Sequence, residues 1–334
     1  MNSKTSPLRV FRGTPPSALR QPSALTIGNF DGVHLGHRAM LTRLVSAAQH
    51  RNLLPTVMTF EPHPREYFAR LAGQPERAPV RISSLRDKLL DLADLGVRQV
   101  IVERFDQRLA NLSAPDFIQR LLVQGLDTRW LLVGDDFRFG ARRSGDIHLL
   151  RGHGGFEVES MDSITDRDGR RISSTDVRAA LAEGDLDRVA DLLGHRYHMS
   201  GHVVHGLKLG RNLGYPTLNV RVPPQSTALK GIFVVLLHGL GATPLQGVAS
   251  LGVRPTVTDA NRMLLEVHLL QYSGNAYGKL VRVEFLQKLR DEAKFVDLPT
   301  LITAIEGDVA NTRAYFAAAP ASPIVAARSA TDRI

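Results

Sequence analysis

The chain contains no cysteine. That excludes a disulfide framework, a thiolate zinc site and a cysteine nucleophile, so any catalysis rests on histidines, carboxylates, hydroxyls and bound ions. Aromatic residues make up only 6% of the chain, with a single tryptophan, which leaves little for base-stacking platforms. Long hydrophobic runs are also missing. The longest strongly apolar stretch, Ile232 to Leu237, is far short of the roughly 20 residues that span a bilayer. The start of the chain lacks the apolar core of a secretory signal, so the expected location is the cytoplasm, away from membrane. Lys plus Arg at 42 against Asp plus Glu at 33 leaves a net charge of +9, yet no run of five or more like charges occurs. Basic residues scattered in this way, mostly arginine, suit small polyphosphates better than nucleic acid.

What is present is a globular composition over 334 residues, 43% hydrophobic and 22% charged, enough for two domains with separate cores. The first half is organised around residues 25 to 37. There an apolar strand end (Leu25, Ile27) runs into Gly28, Gly32 and Gly36 and two histidines, His34 and His37. Helical spacing follows from His37 to about Asn52, which puts both histidines at a helix N-terminus, where anions are favoured. A lone histidine is usually structural, but two at i and i+3 among glycines point to phosphate.

Residues 1 to 22, rich in Ser, Pro and Arg, read as a loose segment with a short leading strand. A strand from Pro55 to Phe60 ends in Glu61-Pro62-His63-Pro64, where His63 is either a ligand contact or part of a rigid loop. A helix from Ser84 to Leu95 opens on a Ser84/Asp87 capping pattern. The strand Gln99 to Val102, a helix from Ala114 to Gln124 and the strand Arg129 to Val133 complete a β-α-β rhythm, which implies a parallel, Rossmann-like nucleotide-binding sheet. Asp136, Phe137 and Phe139 lie in the Gly-flanked loop that follows, where two phenylalanines suit a planar ring system near phosphates. Arg171 to Arg178 opens a helix that runs to about Glu183; its hydroxyls suit helix capping and phosphate contact alike.

After a helical connector ending at Gly194 the pattern changes to short strands without intervening helices: His202–Val204, Thr217–Val222, Ile232–Leu237, Leu245–Ser250, Leu264–Leu270 and Leu280–Leu286. This predicts an antiparallel β-barrel. A helix opened by Asp297 and Pro299 should flank or plug it, and from about Ala317 the composition is that of a disordered tail. Glycines at 201, 206, 210 and 214 suggest either turns or close approach to a ligand. Thr217 and Asn219, two apart, would offer oxygens to a hard cation from one side of a strand. Glu266, in an otherwise apolar strand, is either an outward-facing residue or a general base.

Four motifs in order, Gly28 to His37 (GNFDGVHLGH), Phe60 to Pro64 (FEPHP), Val133 to Gly140 (VGDDFRFG) and Ile172 to Arg178 (ISSTDVR), resemble the adenylyltransferase part of the bacterial bifunctional riboflavin kinase/FAD synthetases. Gly201 to Asn219, Gly247 to Thr256 and Leu265 to Leu270 resemble the kinase part of the same family. The resemblance implies riboflavin, ATP, FMN and FAD as substrates and products, with Mg²⁺ as cofactor. In the adenylyltransferase it implies ATP contacts from Gly28, Asn29, Phe30, Asp31, His34, His37, Arg171, Ser174, Thr175 and Arg178, and flavin contacts from His63, Asp136, Phe137 and Phe139. In the kinase it implies ATP contacts from Gly206, Gly210, Arg211, Gly214, Thr217 and Asn219, with Thr217 and Asn219 on Mg²⁺ and Glu266 as the base.

The domains expected are residues 23–184 and 197–317, joined by a connector at 185–196 and flanked by the loose segment 1–22 and a tail at 318–334. Tyr215, Leu218 and Ile232-Phe233 depart conservatively from the family pattern. The chain is expected to act as a monomer or weak homo-oligomer without nucleic acid. A fragment starting near Asp185 is expected to retain kinase activity alone. The competing readings are a chain with only the adenylyltransferase site competent and a basic nucleic-acid-binding protein.

Overall fold

The computed structural model describes residues 7–166, 168–206, 214–223, 227–254 and 262–318. Gly210, Arg211 and the expected tail beyond Ala318 lie outside the described residues. The chain divides into two compact units, one made of residues up to Pro79 together with Lys88–Ser173, the other of Val80–Asp87 together with the chain from Ser174 onward.

The first unit holds a six-stranded sheet in the order β1-β4-β3-β2-β5-β6. Its strands are β1 (Arg9–Arg12), β2 (Ser23–Ile27), β3 (Leu54–Glu61), β4 (Gln99–Arg104), β5 (Thr128–Gly134) and β6 (Glu157–Met161), and every pairing is parallel. All five residues of β2 are buried, as a strand covered on both faces requires. The helices are α1 (Leu35–Arg51), α2 (Pro64–Leu71), α3 (Leu85–Asp94), α4 (Gln107–Ala110), α5 (Ala114–Asp116), which continues as a π-helical stretch Phe117–Val123, and α6 (Ile147–His153). Leu25, Ile27, Met58, Ile101, Leu131 and Val133 form the core with Ile118 and Leu122.

From β2 the chain winds outward through β3 to β4, then returns to the other side of β2 as β5. The crevice beyond the carboxyl ends of β2 and β5 is therefore the topological switch point, where open α/β sheets take their ligands. The short leading strand expected within residues 1–22 is β1, which extends the sheet at its edge, with the Arg9 amide on Arg98 O and the Gly13 amide on Val102 O. The edge strand β6 has no counterpart in the sequence reading; Glu157 and Ser160 interrupt the apolar pattern a buried strand would show, and its residues are half-buried or exposed.

The second unit is a closed barrel in the order β10-β11-β8-β7-β12-β9. Its strands are β7 (His198–Val204), β8 (Leu218–Val220), β9 (Gly231–His238), β10 (Leu245–Arg254), β11 (Arg262–Leu269) and β12 (Leu280–Arg290), all paired antiparallel. Phe233 packs edge-on against Phe285 in its interior, with ring centroids 5.3 Å apart. Helices α7 (Ser174–Glu183) and α8 (Leu186–Leu193) precede the barrel; α8 ends at Gly194, whose φ of 76° a residue with a Cβ adopts only at a cost. Helix α9 (Leu298–Ala318) follows, capped by Asp297, which accepts the Thr300 amide at 2.9 Å. Arg290 holds α9 to the end of β12 through two hydrogen bonds to Asp308, 2.9 and 2.7 Å long.

The division adds one feature to the barrel unit that strand spacing does not reveal. Val80–Asp87 belongs to it as a strap: Arg178 Nε donates to Val80 O at 2.6 Å, the Tyr197 hydroxyl to Ile82 O at 2.9 Å, and the Ser200 amide to Asp87 Oδ2 at 3.3 Å. Among the described residues no helix is long and apolar enough to cross a membrane.

Candidate active sites

At the switch point, the turn after β2 is held in a conformation that side chains normally avoid. Phe30 and Val33 have φ of 46° and 40°, either side of Gly32 at 80°. A β-branched residue in this region is strained by about 1–3 kcal/mol, a cost that surrounding packing must offset. Phe30 and Val33 are completely buried, which supplies that packing.

The turn delivers His34 to the N-cap of α1, so that the helix starts at Leu35, two residues earlier than its spacing suggests. His34 Nδ1 accepts the His37 amide at 3.4 Å, the two imidazoles stack at 3.7 Å, and Phe30 lies 5.0 Å from the His37 ring. Gly36 makes the stack possible, since a Cβ there would meet the His34 ring at 3.2 Å. Burial, then His34, then Lys88 hold the His37 pKa well below the usual histidine range. His37 is thus a neutral imidazole, offering hydrogen bonding rather than a positive charge. Its Nδ1 is buried without a hydrogen-bond partner, as is Asn29 Oδ1.

Around this loop the sequence candidates separate. His63 is buried and caps α2, its Nδ1 accepting the Arg65 amide at 3.1 Å. Beyond β5, the exposed Asp136 pairs with Arg171 at 2.9 Å, tying two of the expected ligand loops to each other. Phe139 stands in the same loop. It is buried in the apolar core, 5.3 Å from Phe117 and stacked on Phe137, because the backbone turns back at Gly145 and draws the ring inward. Phe137 remains half-buried. Ser174 and Thr175 stand in the first turn of α7, and Arg178 donates to Ser174 O as well as to the strap.

Sequence reasoning passed over Lys88. This residue is 1% exposed, and its Nζ donates to Asn29 O at 2.7 Å. The available signal was its position four residues before the buried Leu92, on the inward face of α3.

In the barrel, strand register assembles the second candidate site. Asn219 of β8 lies opposite Glu266 of β11, and Glu266 lies opposite Ser250 of β10. Residues directly opposite in neighbouring strands share a face, with Cβ atoms about 4.5–5.5 Å apart. Leu265 and Val267 fill the barrel interior, so Glu266 faces the other way, half-buried beside Asn219. Thr217 comes just before β8, shorter here than its sequence pattern, and Gly206 clears room for the Asn219 amide, which a Cβ would strike. His268, on the Glu266 face of β11, bonds Pro216 O at 2.9 Å and meets Tyr215 edge-on, fixing the segment that carries Thr217.

Two family models match the chain: one described as FAD synthetase over residues 17–176, the other as riboflavin kinase over residues 193–316. The bifunctional riboflavin kinase/FMN adenylyltransferase of Escherichia coli (strain K12) is 46% identical over 302 residues, covering 90% of this chain and 94% of the relative. The chain belongs to this bifunctional family. The Haemophilus influenzae member is 44% identical over 299 residues, covering 89% of this chain and 95% of its own. A solved structure named Macrolide-efflux Protein from Streptococcus pneumoniae shares the fold, with a TM-score of 0.74 at 25% identity, covering 91% of this chain and 98% of that one. The chain is accordingly a riboflavin kinase and an FMN adenylyltransferase, taking riboflavin to FMN and FMN to FAD with ATP as co-substrate.

Proposed function

We propose that adenylyl transfer takes place at the Gly28–His37 loop and riboflavin phosphorylation on the Asn219–Glu266 row, with residues 23–184 and 197–317 as the respective domains. The observation that carries the first assignment is the stacked His34/His37 pair at the N-terminus of α1, beyond the carboxyl end of β2. In this reading an FMN phosphate oxygen attacks the α-phosphorus of ATP, the bond to the β-phosphate oxygen breaks, and pyrophosphate leaves. The backbone around Gly28, Asn29, Phe30 and Asp31 and the α1 N-terminus favour the phosphates, and His34 and His37 orient them. Asp136, Phe137, Phe139 and His63 serve the flavin side. The roles of Arg171, Ser174, Thr175 and Arg178 toward ATP phosphates rest on their motif.

On the barrel, Glu266 takes the proton from the terminal ribityl hydroxyl of riboflavin as that oxygen attacks the γ-phosphorus of ATP and ADP departs. The hydroxyl of Thr217 and the amide oxygen of Asn219 are hard donors that suit Mg²⁺, and Asn219 is buried and held beside Glu266. When bound, the ion neutralises charge on the nucleotide phosphates. Gly206 and Gly214 belong to the same nucleotide site by their motif. We place the protein in the cytoplasm as a monomer or weak homo-oligomer, acting on small molecules rather than on nucleic acid.

Purified protein incubated with riboflavin, ATP and Mg²⁺ should yield FMN and then FAD on chromatography. His37→Ala should stop the sequence at FMN. FAD formed by that variant at the wild-type rate would remove the loop from the reaction.

A further inference from the structure

We infer that Lys88 is a positioning residue for adenylyl transfer: its ammonium, together with the Thr59 hydroxyl, clamps the Asn29–Phe30 peptide and so sets the loop that carries His34 and His37. The inference rests on the reading of that loop as the phosphate site. Asn29 O accepts two buried donors, Lys88 Nζ at 2.7 Å from α3 and Thr59 Oγ1 at 3.1 Å from β3. Both residues are essentially inaccessible to water, at 1% and 0% exposure. A planar trans peptide points its N–H opposite to its C=O, so a carbonyl fixed toward Lys88 and Thr59 turns the Phe30 N–H away from them. Clamping this peptide also anchors the start of the left-handed turn through Phe30, Gly32 and Val33, which relaxes toward ordinary backbone angles unless it is held.

A neutral donor would also satisfy the carbonyl. What a cation adds is a fixed charge close to the His37 imidazole. The ionisable groups that act on His37 are His34, stacked on it, and Lys88 from α3; Asp31 is buried in the same loop. Of these, His34 and Lys88 oppose its protonation, after burial itself. Lys88 therefore does two things at once: it fixes the backbone, and it keeps His37 a neutral hydrogen-bonding group at working pH.

The test uses the full chain, with FMN formation from riboflavin as an internal control and FAD formation from FMN and ATP as the readout. Lys88→Met keeps the stem and removes the ammonium. It should lower kcat for FAD formation about a hundredfold, the scale expected when catalytic groups are misplaced by an ångström, with a smaller change in KM for ATP and FMN formation retained. Its acid limb of activity should move to higher pH, because losing a nearby positive charge lets His37 protonate more easily. Lys88→Arg should hold the acid limb in place. Wild-type kcat in Lys88→Met, or a loss of FAD formation with no movement of the acid limb, would overturn the assignment. Should Lys88→Met fold poorly and lose both activities, Thr59→Val decides. A drop of about tenfold in FAD formation alone, the worth of one hydrogen bond to the carbonyl, supports the clamp, and an unchanged rate overturns it. His37→Ala separates this question from the site assignment itself, since FAD made normally by that variant removes the site whatever Lys88 does.

Discussion

The two candidate sites are built by opposite means. At the switch point one short loop carries most of the proposed phosphate contacts, and a ring stack within it and a buried lysine from α3 hold its strained backbone. On the barrel no single segment makes the site. Asn219, Glu266 and Ser250 come from three strands and meet only because register aligns them, with His268 holding the segment that carries Thr217. Phosphate gripping without covalent chemistry needs preorganised donors, which a rigid loop provides. Deprotonating a hydroxyl needs one carboxylate at the right place, which a strand pair provides. The first site should therefore fail when its conformation is disturbed, and the second when a single functional group is changed.

The sharpest test of the contrast is Glu266→Gln. The amide keeps size and hydrogen bonding but cannot accept the proton, so turnover of riboflavin to FMN should fall by about 10²–10⁴ while flavin and nucleotide affinity persist. Supplied FMN should still become FAD at the normal rate. Phosphorylation at the parental rate would return Glu266 to the status of an outward-facing strand residue.

His37→Ala should come next, with a loss of FAD formation of about 10²–10³ and no change in FMN formation. Because His37 is neutral and not a cation, His37→Asn should recover part of that loss where His37→Lys should not. Equal rates for Asn and Lys would mean that charge, rather than a shaped hydrogen bond, is what the loop supplies.

The architecture behind this contrast was largely legible in the sequence, because glycines between a strand and a helix announce a ligand loop and strand spacing without helices announces a barrel. The clamp was not. Lys88 reads as one more surface lysine until tertiary structure closes over α3, and only then does its distance from Asn29 matter. The burial of Phe139 was hidden for a related reason, since a phenylalanine in a Gly-flanked loop carries no local sign that Gly145 pairs with it and that its ring joins the core. The strap was invisible, because Val80–Asp87 joins a barrel whose first strand begins more than a hundred positions later, and local patterning carries no information at that range.

A milder comparison uses pH. The barrel unit has its own neutral histidine: His198, half-buried at the start of β7, is lowered to about 4, chiefly by desolvation, with Asp87 acting in the opposite sense and His195 and Arg282 adding to the drop. An unfolded histidine titrates near 6.5. Below that pH the unfolded chain takes up a proton that folded His198 refuses, so the stability it confers is complete above about 6.5 and is lost as pH falls toward 4. Thermal unfolding followed from pH 7.5 to 4.5 should show this decline, and His198→Gln should flatten it. His37 titrates in the same direction, so the first unit should keep a slope of its own in that variant. Identical pH profiles for wild type and His198→Gln would discard the assignment.

The smallest effect expected concerns the strap, and it separates a barrel that stands alone from one that needs a segment of the first half of the chain. A fragment starting near Asp185 carries every barrel strand but loses Val80–Asp87, leaving the buried Tyr197 hydroxyl without Ile82 O and the Ser200 amide without Asp87 Oδ2. Each hydrogen bond lost in this way contributes about 1 kcal/mol. The fragment should therefore make FMN but no FAD, and unfold at a lower temperature than the barrel does in the full chain. Adding residues 80–87 as a peptide should restore part of the difference. Tyr197→Phe in the full chain isolates one link: the ring still packs 5.7 Å from Phe285, but Ile82 O loses its donor. The expected loss is about 1 kcal/mol, with kinase kinetics unchanged at low temperature. If Tyr197→Phe leaves stability unaltered and the fragment unfolds where the intact barrel does, the strap is a passive neighbour, and the barrel is as self-sufficient as its sequence alone suggested.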